Sequence, residues 1–196
     1  MVRLKGGDPL IFGRAAEEIA ACEEANIAVD VVPGITAAQG AAAKLGLPLT
    51  DRKRARRVQY VTGHASKGAL PGDLDWQSLA DPTTTTAIYM PTRTLAALVT
   101  RATAEGLDPQ TPALAIARAT RPDQAVVTAP ISELPCSVLP QADPTGSGAG
   151  DDWDMHSAIT RGRPSRVRLR RPESRLNDQL PRVVADRHRR SEFGYP

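Results

Sequence analysis

RLKGGDPLIFGR, residues Arg3 to Arg14, is the stretch whose reading decides the fold. A short apolar alternation, Val2 and Leu4, runs into Gly6-Gly7-Asp8-Pro9, and an amphipathic segment starts near Ile11 and Phe12. That order reads as a strand, a tight glycine-rich turn and a helix. In a parallel α/β sheet such a turn lies at the carboxyl end of a strand, where ligands bind. Taken alone, Gly-Gly-Asp-Pro suits any tight turn, so the rest of the chain must carry the assignment.

Outward from this turn the pattern continues as α/β. Met1 to Lys5 reads as a strand. Ala15 to Asn26 reads as a helix, with Ala15, Ile19 and Cys22 on one face and Glu17, Glu18, Glu23 and Glu24 on the other. Ala28 to Val32 is rich in β-branched residues, hence a strand, and Pro33-Gly34 is a sharp turn. Thr36 to Leu45 is an alanine-rich helix interrupted by Gly40. A helical glycine costs about 1 kcal/mol against alanine, so Gly40 points to close approach of the helix to a sheet or a ligand. The pattern breaks at Pro48, and 51–57 reads as a basic linker, either solvated or in contact with an anion. A second run of strands then follows: Val58 to Thr62, Thr84 to Met90, Ala113 to Ala117 and Gln124 to Thr128. Between them, Trp76 to Ala80 gives a helical turn or two, and Thr92 to Gly106 a helix stopped by its glycine. Ile131 to Leu134 starts a last helix that the sequence does not continue.

The 196 residues are 41% hydrophobic but only 4% aromatic, so alanine fills much of the core. There is no apolar run of about 18 residues, so no membrane span is expected, and no signal-peptide core precedes the first strand. A cytoplasmic location is the expectation. The net charge of +3 is unevenly placed. Up to Pro135 there are 14 basic and 14 acidic residues; from Cys136 onward there are 11 arginines and 8 acids. That tail lacks any sustained apolar period and is expected to be disordered, because it buries too little surface to offset its chain entropy. An arginine tail can bind phosphate backbones, but its interspersed acids and lack of aromatics speak against nucleic acid. Cys22 reads as a small buried hydrophobe, and Cys22 and Cys136 form neither a disulfide framework nor a metal-ligand spacing, so no metal is expected. His64 closes a strand as a turn residue, whereas His156 and His188 fall in the tail. The domains so drawn are 1–50, a linker 51–57, 58–135 and a tail 136–196.

RLKGGDPLIFGRAAEE, VVPGITAAQGAAAKLGLPLTDR, VTGH, LDW, IYM and ALAIARATRPDQAVV occur in this order. Together they resemble uroporphyrinogen-III C-methyltransferase, free-standing or as the C-terminal part of siroheme synthase, over Val2 to Pro135. The resemblance implies an α/β tetrapyrrole methylase fold of two domains, with S-adenosylmethionine in the cleft between them. It implies methyl transfer to uroporphyrinogen III giving precorrin-2, on the route to siroheme and cobalamin, in a family whose members are commonly homodimers. Another precorrin methyltransferase is the alternative, and binding through the arginine tail is a second. The methyl-donor contacts implied are Gly6, Gly7, Asp8, Ile11, Thr36, Ala37, Met90 and Ala119. Asp8 either accepts from the ligand or caps the following helix. Met90 either packs on the adenine or sits in the core as a strand residue. At Ala119 the family usually has glycine, which implies a backbone contact. His64 falls near the cleft by the same analogy.

The acceptor carries eight carboxylates, so cations are expected around it, and Arg14, Arg52 and Lys53 are the candidates. Asp51 stands where the family usually has histidine, an acid beside an anionic acceptor. FGRAAEE and TAAQG replace FGRGGEE and TAASG. Relative to the family pattern the chain starts late, without the GxGPGD-type loop and the residues usually assigned to proton transfer, so the catalytic residues are unassigned. The change after Pro135 resembles a shift of reading frame. A truncated enzyme with little turnover is the resulting expectation. Precorrin-2 formation by the purified chain at an ordinary enzymatic rate would contradict it.

Overall fold

The structure, a computed structural model, describes residues 1–65, 69–138 and 155–161. Every described residue lies in one compact unit, Met1–Ser165. In chain order the elements are α1 (Ala15–Glu24), α2 (Ala37–Leu45), β1 (Arg57–Thr62), α3 (Trp76–Ala80), β2 (Thr84–Tyr89), α4 (Leu95–Ala104), β3 (Pro112–Ala117), β4 (Ala125–Pro130), α5 (Leu134–Val138) and β5 (Met155–Arg161).

The strands form one mixed sheet in the order β1-β2-β5-β3-β4. β1 and β2 are parallel, from Arg57 opposite Thr84 to Thr62 opposite Tyr89. β5 runs antiparallel between β2 and β3, and β4 is antiparallel to β3. Hence β1, β2 and β3 share one direction, and the turns after β2 and β3 emerge at the same end. β2 and β3 are buried on both faces, which explains their near-continuous TTTAIY and PALAIA runs.

Alternation along the strands separates two packing layers. Ile88, Ala113 and Ala115 join Leu95, Leu98 and Val99 of α4 and Leu134 and Val138 of α5 in the main core. Ala87, Tyr89, Leu114 and Ile116 occupy the intervening positions and face the other way, where Tyr89 reaches α2. α2 turns Ala38, Ala41 and Ala42 inward, at i, i+3 and i+4. These small side chains let the helix lie close to the sheet.

Three expectations are corrected. First, the segments read as strands at Met1 to Lys5 and Ala28 to Val32 make no ladder. Apolar alternation marks two faces, but a strand exists only through pairing, and the described residues offer these segments no partner edge. Their apolar side chains stay in solvent: Val2 is 85%, Leu4 86% and Val32 82% exposed.

Second, Cys22 is only partly buried, because α1 buries none of its residues. Within the segment read as a linker, residues 51–55 close into a turn. Asp51 and Ala55 form an antiparallel bridge, Ala55 is fully buried, and the Asp51 carboxylate accepts the Lys53 N–H at 2.8 Å. The acid thus has a local role in the turn.

Third, the disorder expected from Cys136 fails in two places. α5 runs through Cys136 to Val138, with Pro135 in its first turn, where the missing N–H costs nothing. β5 is a central strand whose Ile159 is fully buried opposite Ala87 and Leu114. The rest of the tail expectation, residues 139–154 and 162–196 with His188, lies outside the described residues. Among the described residues no helix is long and apolar enough to cross a membrane.

β5 pairs on both sides, so it should carry much of the sheet's cooperativity. Ile159→Ala is expected to cost about 2–5 kcal/mol in denaturant unfolding. A chain ending at Val138 should lose its cooperative transition, because facing edges of β2 and β3 lose their common partner. An unchanged midpoint in that shortened chain would contradict the sheet order.

Candidate functional site

Four turns converge on the N-terminus of α2. The first follows Lys5. Asp8 accepts the Leu10 N–H at 2.8 Å with one carboxylate oxygen and the Gly34 N–H at 3.1 Å with the other. Its carboxylate therefore closes its own turn and ties it to the Pro33-Gly34 turn. It does not cap α1, whose N-cap residue is Arg14 without a side-chain bond. The two backbones meet so closely that a Cβ on Gly34 would lie 2.1 Å from the Gly7 carbonyl oxygen. Only glycine fits there, whatever its φ. On the far side of Gly7 stand Ile35, Thr36 and the Ala37 N–H.

The second turn delivers Thr36, the N-cap of α2. Its hydroxyl accepts the Gln39 N–H at 3.4 Å, and the Gln39 side chain accepts the Thr36 N–H at 3.2 Å. This is a capping box. It gives Gln39, one of the departures from the family pattern, a local role. Thr36 is 5% exposed, so its hydroxyl needs partners inside the protein.

The third turn, after β2, supplies the next partner. The Tyr89 O–H donates to Thr36 Oγ1 at 2.8 Å, and the Ala38 N–H donates to the Tyr89 oxygen at 3.3 Å. Phe12 packs on the Tyr89 ring at 5.0 Å between centroids, and Tyr60 meets it edge-on at 5.9 Å. Burial pushes the Tyr89 phenol above its ordinary pKa, so it is protonated and donating at neutral pH. Met90 follows with φ +54 and is 44% exposed. It is a turn residue open to solvent, which removes the alternative of a core strand position. Pro91 and Thr94 hold this turn against β1's end, Thr94 donating to the Gly63 carbonyl at 2.5 Å. His64, next along, is exposed.

The fourth turn, after β3, carries Arg118, Ala119 and Thr120. Arg118 pairs with Asp123 at 2.9 Å, and Gln124 accepts the Thr120 N–H at 2.7 Å. Thr120 reaches into α2 at Gly40, where a Cβ would lie 2.6 Å from its γ-methyl. The close approach expected of Gly40 is therefore to this turn. Lys44 of α2 adds a bond to the Arg121 carbonyl at 3.4 Å.

Backbone strain collects at this junction. Phe12, Arg14, Met90, Arg118 and Thr120 all have φ between +50 and +70. For non-glycine residues such conformations cost about 1–3 kcal/mol each and persist only where surroundings impose them. Gly6, Gly7, Gly34 and Ile35 are exposed and Ile11, Ala37 and Ala119 half-buried, so the turns form an open wall of backbone edged by apolar side chains. Such a wall suits a ligand with a flat apolar ring and several polar groups.

Of the cationic candidates, Arg14 is the N-cap of α1, and Arg52 and Lys53 belong to the 51–55 turn. Arg14 is bound by Glu17 through two bonds, of 3.0 and 2.5 Å, and this pairing lowers the Glu17 carboxyl pKa. Arg52 lines an open cavity of about 440 Å³ with Thr50, Asp51, Ala55 and Arg56, and Lys53 is exposed on the same turn. That cavity shares no lining residue with the four turns. Among the described residues no group of His, Cys, Asp and Glu side chains could hold a metal ion.

Comparison with known proteins bears on this wall. The family model described as Tetrapyrrole (Corrin/Porphyrin) Methylases matches residues 1–135. Siroheme synthase of Gluconacetobacter diazotrophicus is 50% identical over 150 residues, 76% of this chain and 31% of that protein. The chloroplastic S-adenosyl-L-methionine-dependent uroporphyrinogen III methyltransferase of Arabidopsis thaliana is 46% identical over 134 residues, 68% of this chain and 36% of that protein. The chain thus spans about a third of the length of these curated relatives. Among solved structures, uroporphyrin-III C-methyl transferase from Thermus thermophilus complexed with S-adenyl homocysteine matches with a TM-score of 0.64 and 30% identity, covering 82% of this chain and 65% of that one.

The close contact at Gly40 predicts a compensating pair. Gly40→Ala should lower the melting temperature by several degrees, and adding Thr120→Ser, which removes the opposing methyl, should restore most of the loss. Equal destabilisation with and without Thr120→Ser would show that the two residues do not meet.

Proposed function

Because the chain belongs to the tetrapyrrole (corrin/porphyrin) methylase family, we propose that its four turns bind S-adenosylmethionine for C-methylation of uroporphyrinogen III toward siroheme. The observation that carries this reading is the convergence of Gly7, Thr36, the strand end just before Met90 and the turn of Ala119 and Thr120 on the first turn of one helix. These are the segments that the sequence motifs single out for the donor. Gly6 and Gly7 let backbone approach the ligand, Ile11 and Met90 offer apolar contacts for the adenine, and Thr36-Ala37 and Ala119 offer backbone groups. Asp8 acts through the two turns it clamps together. The two-lobed division into 1–50 and 58–135, a homodimeric assembly and a cytoplasmic location are parts of the same proposal.

The donor's sulfonium is already activated, so the protein's task is to hold donor and acceptor in line and to assist proton loss. Of the three cationic candidates, Arg14 is engaged by Glu17, while Arg52 and Lys53 remain exposed for the acceptor's carboxylates.

Calorimetry with S-adenosylhomocysteine tests the donor site. One saturable site per chain, lost on Gly34→Ala, is the expected result, because the added Cβ forces Gly7 and Gly34 apart. Binding by Gly34→Ala with unchanged affinity would contradict it. The acceptor is tested by transfer of labelled methyl groups with stoichiometric chain and excess donor: label should appear in C-methylated uroporphyrinogen III, two methyl groups per molecule at completion, when uroporphyrinogen III is supplied. Label appearing only with a different tetrapyrrole would replace the acceptor.

A further inference from the structure

Tyr89 is absent from the donor contacts that the motifs imply, yet it touches three of the four turns. It ends β2 and is 7% exposed. Its ring packs on Phe12 of the first turn, its hydroxyl is bonded to Thr36 and to the Ala38 N–H of the second, and its carbonyl-side neighbour is Met90 of the third. The ring contacts alone would be served as well by phenylalanine. The hydroxyl does something more specific. It donates to Thr36 Oγ1, which also accepts the Gln39 N–H, and it accepts the Ala38 N–H, one of the amides at the start of α2 that have no partner within the helix.

We infer that Tyr89 is a positioning residue of the donor site, its hydroxyl fixing the Thr36-Ala37 backbone of α2 against the Met90 turn so that the two sides of the site keep one spacing. This rests on the donor-binding reading above. Removing the hydroxyl would leave Thr36 and Ala38 each one bond short in a buried setting. The N-terminal turn of α2 could then shift relative to Met90, and a ligand bridging the two would lose affinity. The phenol's upward-shifted pKa keeps the donated proton in place across the neutral range.

The test uses the full chain and S-adenosylhomocysteine as the probe. Tyr89→Phe should weaken binding about tenfold at a temperature well below its melting point. Thr36→Val should also weaken it. The losses in the double variant should be clearly less than additive, because the two substitutions share the Tyr89–Thr36 bond while each removes one further bond of its own. Thr36→Ser, which keeps the hydroxyl, should restore binding close to that of the parent chain. A second measurement needs no variant: saturation with S-adenosylhomocysteine should slow hydrogen exchange at the Ala38 amide. Tyr89→Phe with a lowered melting temperature but unchanged affinity would reduce Tyr89 to a packing residue and overturn the inference, leaving the donor site standing. Additive losses in the double variant, or unchanged Ala38 exchange on saturation, would overturn it as well. If the parent chain does not bind the probe, the donor reading falls and this inference with it.

Discussion

The buried hydroxyl of Thr36 is the constraint on which the candidate site depends. It sits at the start of α2 with almost no access to water, so its bonds have to come from the protein. Gln39 supplies one from within the helix and Tyr89 one from the end of β2. The second bond crosses from the N-terminal turns to the sheet, and it fixes where α2 begins relative to the strand ends. Everything else at the junction follows that placement. Asp8 ties the first turn to the second, Gly40 admits the fourth, and the strained backbones of Met90 and Thr120 are the cost of bringing two sheet turns to one helix end.

That junction needs a rigid sheet beneath it, and β5 provides the rigidity. β2 and β3 carry the third and fourth turns, yet they are not neighbours. β5 lies between them, hydrogen-bonded to both, and sets their separation. Ile159 fills the row between Ala87 and Leu114 on the face that α2 covers. A short segment in the arginine-rich region thus supports two turns that lie far earlier in the chain.

Local features of the site were legible in the sequence, and features that join distant segments were not. Gly40 announced a close approach because a helical glycine costs stability without local return. Thr36 and Ala37 were named by the family resemblance, and the local pattern added only a Pro33-Gly34 turn before an alanine-rich helix. Arg14 read as a candidate for the acceptor's carboxylates, because nothing in a linear pattern says that a left-handed N-cap would place it against Glu17. The Tyr89–Thr36 bond spans 53 positions, and no periodicity reports a partner at that separation. β5 was missed because composition over tens of residues outweighed its own Ala-Ile-Thr run, and its partners lie at Thr85 to Tyr89 and Ala113 to Ala117. The strands assigned to Met1–Lys5 and Ala28–Val32 show the opposite error. Their alternation is real, but pairing is a property of two segments, and no described segment pairs with either.

The central claim is that the methyl donor lies against these four turns. Photoaffinity labelling with 8-azido-S-adenosylmethionine, followed by mapping of the labelled peptides, tests it most directly. The account predicts label on peptides carrying Ile11, Ile35 to Ala37 or Met90, suppressed by excess S-adenosylhomocysteine. Label confined to the cavity at Thr50 to Arg56, or label that excess S-adenosylhomocysteine does not suppress, would contradict it.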